Sequence, residues 1–256
     1  MTTPLLTVEG ITLRFGGVSA LTGVSFTVNP GELFAIIGPN GAGKTSIFNC
    51  LNGVYKPSEG TITLGGERLS GLSPTTIATR GVARTFQNLG LFSHLTVLEN
   101  ILLGRHHLMQ TGFLAGAWWW GPARREELAQ RRHCEDIIEL LELEPYRFQP
   151  VALLPYGVRK RVEVARAVAM EPRLLLLDEP AAGMNLEESE DMARYIREIN
   201  EELQVAMILV EHDMHMVMDL AHRVLAMDFG RVLAIGRPEE VRAHPAVIEA
   251  YLGAAS

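Results

Sequence analysis

The sequence contains little cysteine and no long apolar run. Its only two cysteines, Cys50 and Cys134, lie far apart and form no CxxC pair. This excludes a disulfide framework beyond one bridge, and the two thiols are typical of a reduced, cytosolic protein. The most apolar window, at residues 112–121, is half the roughly 20 residues that a membrane-spanning helix needs. The first 30 residues alternate as short strands do and show no secretory signal pattern. We therefore expect no membrane span and no signal peptide.

Positive charge is also scarce relative to negative charge. The chain has 23 Lys and Arg against 30 Asp and Glu, which gives a formal net charge of −7. This balance disfavours a protein whose main task is to coat nucleic acid, and we expect no nucleic-acid partner. Hydrophobic residues make up 47% of the 256 residues and charged residues 21%. That mixture is typical of a globular chain with a sizeable core rather than of a disordered one.

Along the chain, a β-rich beginning is followed by alternating strands and helices. Breaks at Gly16-Gly17, Gly23 and Pro30-Gly31 divide residues 5–36 into strand-like stretches, and the last stretch is the apolar run Leu33 to Ile37. Residues 61–69 are typical of a further edge strand. The pattern is mostly helical from about 96 to 170, and the later apolar runs are typical of buried parallel strands. This order predicts an α/β fold with an inserted helical region.

Capping residues mark two helix starts. Ser73 precedes a proline and predicts a helix that ends near Gly81. Asn185 and Glu188 form the pattern of a capping box and predict a second helix. We expect the buried side of that second helix to consist of Met192, Ile196, Ile199 and Leu203.

A glycine-rich segment between an apolar strand and a helix is the strongest chemical signal. Residues 38–45 read GPNGAGKT and match the pattern GxxxxGK[ST]. Glycines let backbone N–H groups turn toward phosphate oxygens, and the helix N-terminus adds its positive end. We expect Lys44 to reach the β- and γ-phosphates and the Thr45 hydroxyl to complete a Mg²⁺ shell. An ordinary glycine turn with a surface lysine is the alternative, and the strand–loop–helix context disfavours it. The predicted contacts to the nucleoside triphosphate are Gly38, Asn40, Gly41, Ala42, Gly43, Lys44, Thr45 and Ser46.

Two carboxylates follow the apolar run at 174–177, in the sequence Asp178-Glu179-Pro180. Carboxylates at the C-terminal end of a buried parallel strand lie where α/β sheets bind ligands. We expect Asp178 to hold Mg²⁺ through its water shell, and Glu179 to polarise the water that attacks the γ-phosphate. Asp-Glu-Pro also makes a good helix-capping turn, which is the alternative interpretation of these residues.

With these two motifs the sequence resembles the ATP-binding subunit of an ABC transporter, and the resemblance covers nearly the whole chain. It implies a single ABC ATPase domain over residues 1–256 that binds ATP and Mg²⁺. In that domain a P-loop, RecA-like α/β core carries an antiparallel β subdomain. The resemblance also implies a helical subdomain inserted at approximately 96–170.

The resemblance implies roles for further residues, which occur in the family's order. Phe15 matches the aromatic residue that stacks on adenine. Gln87 matches a glutamine that contacts Mg²⁺ and couples the site to the transmembrane partner, and His212 matches the switch histidine at the γ-phosphate. Residues 181–185 match the loop through which two such subunits communicate. The implied catalytic residues are thus Glu179, His212, Lys44 and Gln87, and the implied Mg²⁺ ligands are Thr45, Gln87 and Asp178.

One segment departs from the family pattern. The family norm is LSGGQ, whereas residues 154–158 read LPYGV. Gly157 keeps the close backbone approach, and we expect it to contact the ATP of the opposite subunit. Pro155 replaces a serine hydroxyl, and Val158 cannot hydrogen-bond through its side chain, which removes at least one hydrogen bond of nominally about 0.5–1.5 kcal/mol. We hypothesise that the chain binds its partner's ATP weakly, while its own Lys44 and Glu179 site is complete.

Finer features are similar to the ATPases of branched-chain amino acid importers, namely the stretches SPTTIATRGVARTFQN, AAGMN and PEEVRAHPAVIEAYLG. This similarity implies uptake of branched-chain or related amino acids through integral-membrane permease subunits. It implies a peripheral protein at the cytoplasmic face of the membrane that forms a dimer with itself or with a paralogous ATPase. A periplasmic or extracellular substrate-binding protein would act indirectly. Cassettes for urea, other amides or lipid-linked cargo share much of this pattern and stay as alternatives.

Two alternative interpretations assign the chain to classes of protein other than transporter ATPases. A nucleic-acid-associated ABC ATPase would carry a long coiled coil or two fused cassettes with basic linkers. A P-loop kinase should lack both the signature helix and the switch histidine.

The insert at 104–125 contains three consecutive tryptophans, Trp118, Trp119 and Trp120, and two interpretations of them are open. They could contact the lipid headgroups or the permease, since tryptophan favours such boundaries. They could instead cover the helical region.

Overall fold

The computed structural model describes residues 3–85, 90–106 and 122–253, and two β-sheets organise these ranges. The described strands are β1 (Leu6–Phe15), β2 (Val18–Val28), β3 (Leu33–Ile37), β4 (Glu59–Leu64), β5 (Glu67–Arg68), β6 (Val82–Arg84), β7 (Leu174–Asp178), β8 (Ala206–Val210), β9 (Arg223–Asp228) and β10 (Arg231–Gly236). The described α-helices are α1 (Lys44–Leu51), α2 (Pro74–Thr79), α3 (Val97–Gly104), α4 (Pro122–Leu140), α5 (Tyr156–Val168), α6 (Leu186–Leu203), α7 (Met214–Leu220), α8 (Pro238–Arg242) and α9 (Pro245–Gly253).

The larger sheet has the order β10-β9-β3-β8-β7-β6 and is parallel except for β10. Every residue of β3, β7 and β8 is buried. On β3, Leu33 and Ile37 belong to a core shared with the helices, whereas Phe34 and Ile36 belong to a second core shared with the smaller sheet. Side chains alternate along a strand, so a sheet that is covered on both faces needs apolar residues at every position. The predicted α/β fold is confirmed.

The smaller sheet is antiparallel, with the order β2-β1-β4-β5. The predicted strand break at Gly23 is wrong, because β2 runs through this residue. Gly23 has φ +62° and lies where the pairing of β1 with β2 changes register, so it forms an irregularity inside the strand. The prediction of one edge strand over residues 61–69 is also wrong. A turn at Gly65 and Gly66 separates β4 from β5, which pair as a hairpin.

Helices and short turns make up the described part of residues 97–168, as the sequence predicts, while the subdomain boundaries stay a prediction. Both predicted helix caps are present. The Ser73 side chain accepts a hydrogen bond from the N–H of Thr76, and Asn185 and Glu188 complete their capping box. The predicted buried side of α6 is correct except at Leu203, which lies in the last turn and is 42% exposed. Among the helices of the described ranges, none has both the length and the apolarity to cross a membrane.

The parallel sheet brings three segments to one edge. Ile36 of β3 and Asp178 of β7 both pair with Val210 of β8. The glycine-rich segment follows β3, Glu179 follows β7, and Glu211 and His212 follow β8. The carboxyl ends of parallel strands share an edge, so these three segments meet there.

Candidate nucleotide-binding site

A cavity of about 290 Å³ lies at this edge of the sheet. It contains most of the residues predicted to bind phosphate, and it adds the predicted acid and the predicted switch histidine. Its lining residues are Asn40, Gly41, Ala42, Gly43, Lys44, Thr45, Ser46, Glu179 and His212. Residues more than 130 positions apart in the sequence therefore face one small space.

The glycine-rich segment at residues 38–45, which we call the phosphate loop after its predicted role, leads into an open helix N-terminus. Helix α1 begins at Lys44 after Gly43, which has φ +106°, and no side chain of the described residues caps this helix end. Its first N–H groups are thus available to an anion. At the start of the loop, a Cβ on Gly38 would lie 2.2 Å from the carbonyl oxygen of Met227 on β9. Only glycine lets the loop pass so close to this strand.

Lys44 lies folded into the loop. Its Nζ donates hydrogen bonds to the carbonyl oxygens of Gly38 (2.7 Å) and Pro39 (3.2 Å). Burial lowers the pKa of Lys44, and the nearby carboxylates of Glu179 and Asp178 oppose that shift. Neutral carbonyl oxygens are weaker partners for an ammonium group than phosphate oxygens are. A bound triphosphate would therefore offer Lys44 a better partner than the loop does.

Asp178 is a buried carboxylate with one unused oxygen. Its side chain is 1% exposed, and Oδ2 accepts a hydrogen bond from Arg84 at 2.6 Å. Oδ1 is buried and has no hydrogen-bond partner among the described residues. A buried acceptor without a donor is costly and is typical of a position that a metal-bound water would satisfy. Thr45 lines the cavity, whereas Asp178 is buried behind it and is not among the lining residues. A hydroxyl and a carboxylate oxygen are hard oxygen ligands of the kind that Mg²⁺ prefers.

Glu179 and His212 form a hydrogen-bonded pair, with 2.8 Å between Glu179 Oε1 and His212 Nε2. Glu179 has φ +50°, the left-handed conformation, which costs a non-glycine residue of order 1–3 kcal/mol. Its N–H donates to the carbonyl oxygen of Val210 on β8 at 2.9 Å, which fixes this backbone position. The fold thus holds the predicted catalytic acid in a strained position beside the predicted switch histidine.

Glu211 is a site residue that sequence reasoning missed. Its Oε1 accepts a hydrogen bond from the N–H of Ala181 (2.8 Å), and its Oε2 accepts one from the N–H of His212 (3.0 Å). Burial raises the pKa of Glu211, and the charge of Glu179 adds to that shift, while the two N–H donors oppose it. An acid directly before His212 at the end of an apolar strand is the signal that could have revealed it.

Phe15 lies at the end of β1, next to the turn that leads to β2. Phe15 is 48% exposed, and its ring packs edge-to-face with the ring of Tyr55, with 5.1 Å between centroids. Farther along β2, the carbonyl oxygen of Ala20 would lie 3.0 Å from a Cβ on Gly43. The same hairpin therefore adjoins the phosphate loop and presents an aromatic face, although stacking of Phe15 on a base stays a prediction.

Gly157 does not line the cavity that contains Lys44. It lies in the first turn of α5, where a Cβ would come within 2.7 Å of Glu188 Oε1. The preceding Tyr156 donates a hydrogen bond from its hydroxyl to the carbonyl oxygen of Ala182, at 3.0 Å. Sequence reasoning missed this contact of the LPYGV segment with the 181–185 loop. Gln87 and the tryptophans at 118–120 lie outside the described residues.

Two protein families have models that match the chain. The one described as "ABC transporter" matches residues 21–182. The one described as "Branched-chain amino acid ATP-binding cassette transporter" matches residues 231–256.

Named relatives match over the full length. The chain is 42% identical over 255 residues to the high-affinity branched-chain amino acid transport ATP-binding protein BraF of Pseudomonas aeruginosa, with 100% of both chains covered. It is 41% identical, with the same coverage, to the corresponding protein LivG of Escherichia coli K12. Among solved structures, the ADP conformation of MJ1267, an ATP-binding cassette of an ABC transporter, matches with a TM-score of 0.85 and 29% identity over 98% of this chain and 100% of that one. The chain therefore belongs to the ABC transporter family, as an ATP-binding subunit with ATPase activity.

Proposed function

We propose that this chain hydrolyses ATP to drive the import of branched-chain or related amino acids through permease subunits in the membrane. The observation that carries the proposal is the Glu179–His212 pair, 2.8 Å apart, on the wall of the cavity that the phosphate loop forms. The cargo class is supported by the full-length similarity to BraF and LivG and by the family match at residues 231–256.

Nucleotide binding uses groups that are already in place. The open N-terminus of α1 and the loop N–H groups bind the phosphates. Lys44 exchanges its bonds to the Gly38 and Pro39 carbonyl oxygens for bonds to the β- and γ-phosphates. Phe15 stacks on the adenine ring. Thr45 and Asp178 would hold Mg²⁺, with Gln87 as a further ligand, and the ion would neutralise charge that develops on the transferred phosphoryl group.

Hydrolysis requires a base at the attacking water. As the water oxygen bonds to the γ-phosphorus, Glu179 accepts a proton of that water on its carboxylate, the bond from the γ-phosphorus to the bridging oxygen breaks, and ADP leaves. His212 is hydrogen-bonded to Glu179 through Nε2, which holds the carboxylate beside the γ-phosphate. General base catalysis of this kind contributes typically about 10²–10⁴-fold to a rate. The left-handed backbone of Glu179 and the bond from its N–H to Val210 hold the carboxylate at the end of β7, so little reorganisation precedes the reaction.

The working unit is a dimer, with either a second copy of this chain or a paralogous ATPase. Gly157 lies away from the chain's own cavity, which supports a contact across the dimer rather than within one subunit. Contact of the dimer with permease subunits places the protein at the cytoplasmic face of the membrane, and a substrate-binding protein delivers cargo from the other side.

The variant Glu179→Gln tests the catalytic part of the proposal. It keeps the size of the side chain and removes the base, so we expect ATP binding within about twofold of wild type and a turnover at least 100-fold lower. Equilibrium titration with a fluorescent ATP analogue and phosphate release measure the two quantities. Glu202→Gln, which changes an exposed carboxylate of α6, is the control and should match wild type. Unchanged turnover in Glu179→Gln would refute the assignment.

The cargo is tested with the assembled transporter in vesicles. We expect ATP-dependent uptake of radiolabelled leucine that an excess of unlabelled isoleucine or valine suppresses and an excess of urea does not. Uptake of urea without uptake of leucine would overturn the amino-acid assignment and leave the ATPase assignment intact.

A further inference from the structure

Arg84 is a charged residue beside the site that the proposed mechanism does not use. It is the last residue of β6, and its side chain is 10% exposed. Its Nη2 donates to Asp178 Oδ2 at 2.6 Å, and its Nη1 donates to Asn49 Oδ1 at 2.7 Å. The guanidinium carbon also lies 5.5 Å from the ring centroid of Phe48. One side chain therefore contacts the carboxylate at the end of β7 and two residues of α1.

These contacts connect the two sides of the predicted magnesium site. Asp178 ends β7, whereas Phe48 and Asn49 belong to the helix whose first two residues are Lys44 and Thr45. The planar guanidinium presents its donors in a fixed fork, so it sets both the distance and the angle between its partners. Arg84 consequently fixes the position of α1 relative to the Asp178 carboxylate.

Arg84 also determines which oxygen of Asp178 is available. Oδ2 is engaged by Arg84, while Oδ1 has no partner among the described residues. Without the bond from Arg84, the carboxylate would be free to rotate, and Oδ1 would no longer be presented in one direction.

A purely stabilising role explains this arrangement less well. A buried ion pair contributes little net stability, because desolvation offsets the attraction. Apolar residues at positions 84 and 178 together could fill this space without burying a charge. The two hydrogen bonds of Arg84, to Asp178 and Asn49, do what apolar packing cannot, because they orient a carboxylate that must present one oxygen in a fixed direction.

We infer that Arg84 is a positioning residue for the divalent cation that binds with the nucleotide. It holds Asp178 by Oδ2 and braces it against α1, so that Oδ1 stays free for a metal-bound water. This inference rests on the proposed function, since it takes a magnesium nucleotide as the ligand. Residues that orient metal ligands in this way typically change metal affinity about 10–100-fold when they are replaced.

The test measures how strongly magnesium tightens nucleotide binding. The full chain is titrated with a fluorescent ATP analogue in EDTA and in saturating Mg²⁺, and the ratio of the two dissociation constants is the magnesium effect. Arg84→Lys keeps the positive charge but lacks the planar fork whose two nitrogens bond Asp178 and Asn49 in a fixed geometry. We expect its magnesium effect to fall at least about tenfold, with affinity in EDTA within about twofold of wild type, because the phosphate loop is unchanged.

Two further variants complete the experiment. Asn49→Ala removes one arm of the brace and leaves the Arg84–Asp178 pair, and we expect its magnesium effect to fall about threefold, in line with the loss of one hydrogen bond. It also decides the question if Arg84→Lys does not fold. Arg80→Lys is the matched control, since Arg80 is paired with the exposed Glu67, and it should keep the wild-type magnesium effect.

Each outcome has a separate meaning. An unchanged magnesium effect in Arg84→Lys or in Asn49→Ala would overturn the inference. A larger effect in Arg84→Lys would overturn it as well, because Arg84 would then compete with the metal for Asp178. If wild type itself binds no nucleotide, or shows no magnesium effect, it is the proposed function that fails.

Discussion

Replacement of Gly38 by alanine tests whether the phosphate loop is held against β9 by close packing. A Cβ at this position would lie 2.2 Å from the carbonyl oxygen of Met227 and 2.9 Å from the Cβ of Ala42. Ordinary contacts of a Cβ are at about 3.4–4 Å, so the first overlap exceeds 1 Å. Met227 is fully buried in β9, which pairs with β3 and β10. The strand cannot move easily, and the loop must.

Gly41→Ala is the matched control in the same loop. Gly41 has φ +83°, and nothing lies within 4 Å of its Cβ position. This substitution therefore brings backbone strain alone, about 1–2 kcal/mol. Gly38→Ala adds overpacking against a rigid strand, which costs typically about 1–3 kcal/mol and occasionally more. We expect Gly38→Ala to lower the free energy of unfolding by about 3 kcal/mol, and Gly41→Ala by about 1–2 kcal/mol.

Urea titration without nucleotide measures both values, because the difference depends on the empty loop and not on the ligand. Nucleotide titration then shows the functional cost. A loop displaced from β9 cannot direct its N–H groups to one point, so we expect Gly38→Ala to bind ATP at least about tenfold more weakly, as for the loss of one charge-assisted hydrogen bond. Equal or smaller destabilisation in Gly38→Ala than in Gly41→Ala would refute the packing argument.

Two further predictions concern Glu211 and the LPYGV segment. Burial raises the pKa of Glu211 above its ordinary 4.5, so the folded chain holds this proton more tightly than the unfolded chain, and the stability that Glu211 contributes is lost as pH rises from 4.5 through the folded pKa. Urea titrations at several pH values should therefore show the stability of wild type falling relative to Glu211→Gln over that range, and a constant difference would contradict this. Pro155 is the N-cap residue before α5 and makes no side-chain hydrogen bond there, so the double variant Pro155→Ser, Val158→Gln should raise the ATPase rate of the assembled dimer. An unchanged or lower rate would show that the departure from LSGGQ does not weaken the site.

Local sequence signals predicted the parts of the site that depend on neighbouring residues. The GPNGAGKT segment predicted a glycine-rich loop between a strand and a helix, because glycines, a lysine and a following helix are all local. The position of Asp178 and Glu179 followed from the apolar run before them. The Asn185–Glu188 capping box was predicted for the same reason, since both partners lie within one helical turn.

Contacts that depend on chain topology could not be predicted in this way. Arg84 meets Asp178 across 94 positions, and Glu211 meets Ala181 across 30. No periodicity connects such residues, because their proximity follows from the strand order of the parallel sheet. The predictions of a strand break at Gly23 and of a buried Leu203 were wrong for a related reason. A glycine can sit inside a twisted strand, and the apolar stripe of a helix need not extend to its last turn.

The 181–185 loop is held at two adjoining residues by different parts of the chain. Glu211, beside His212, accepts the N–H of Ala181, while Tyr156, in the first turn of α5, donates to the carbonyl oxygen of Ala182. The loop thus carries two hydrogen-bond attachments at neighbouring residues. If the segment at His212 moves, the start of α5 must move with it, unless one of these two hydrogen bonds breaks.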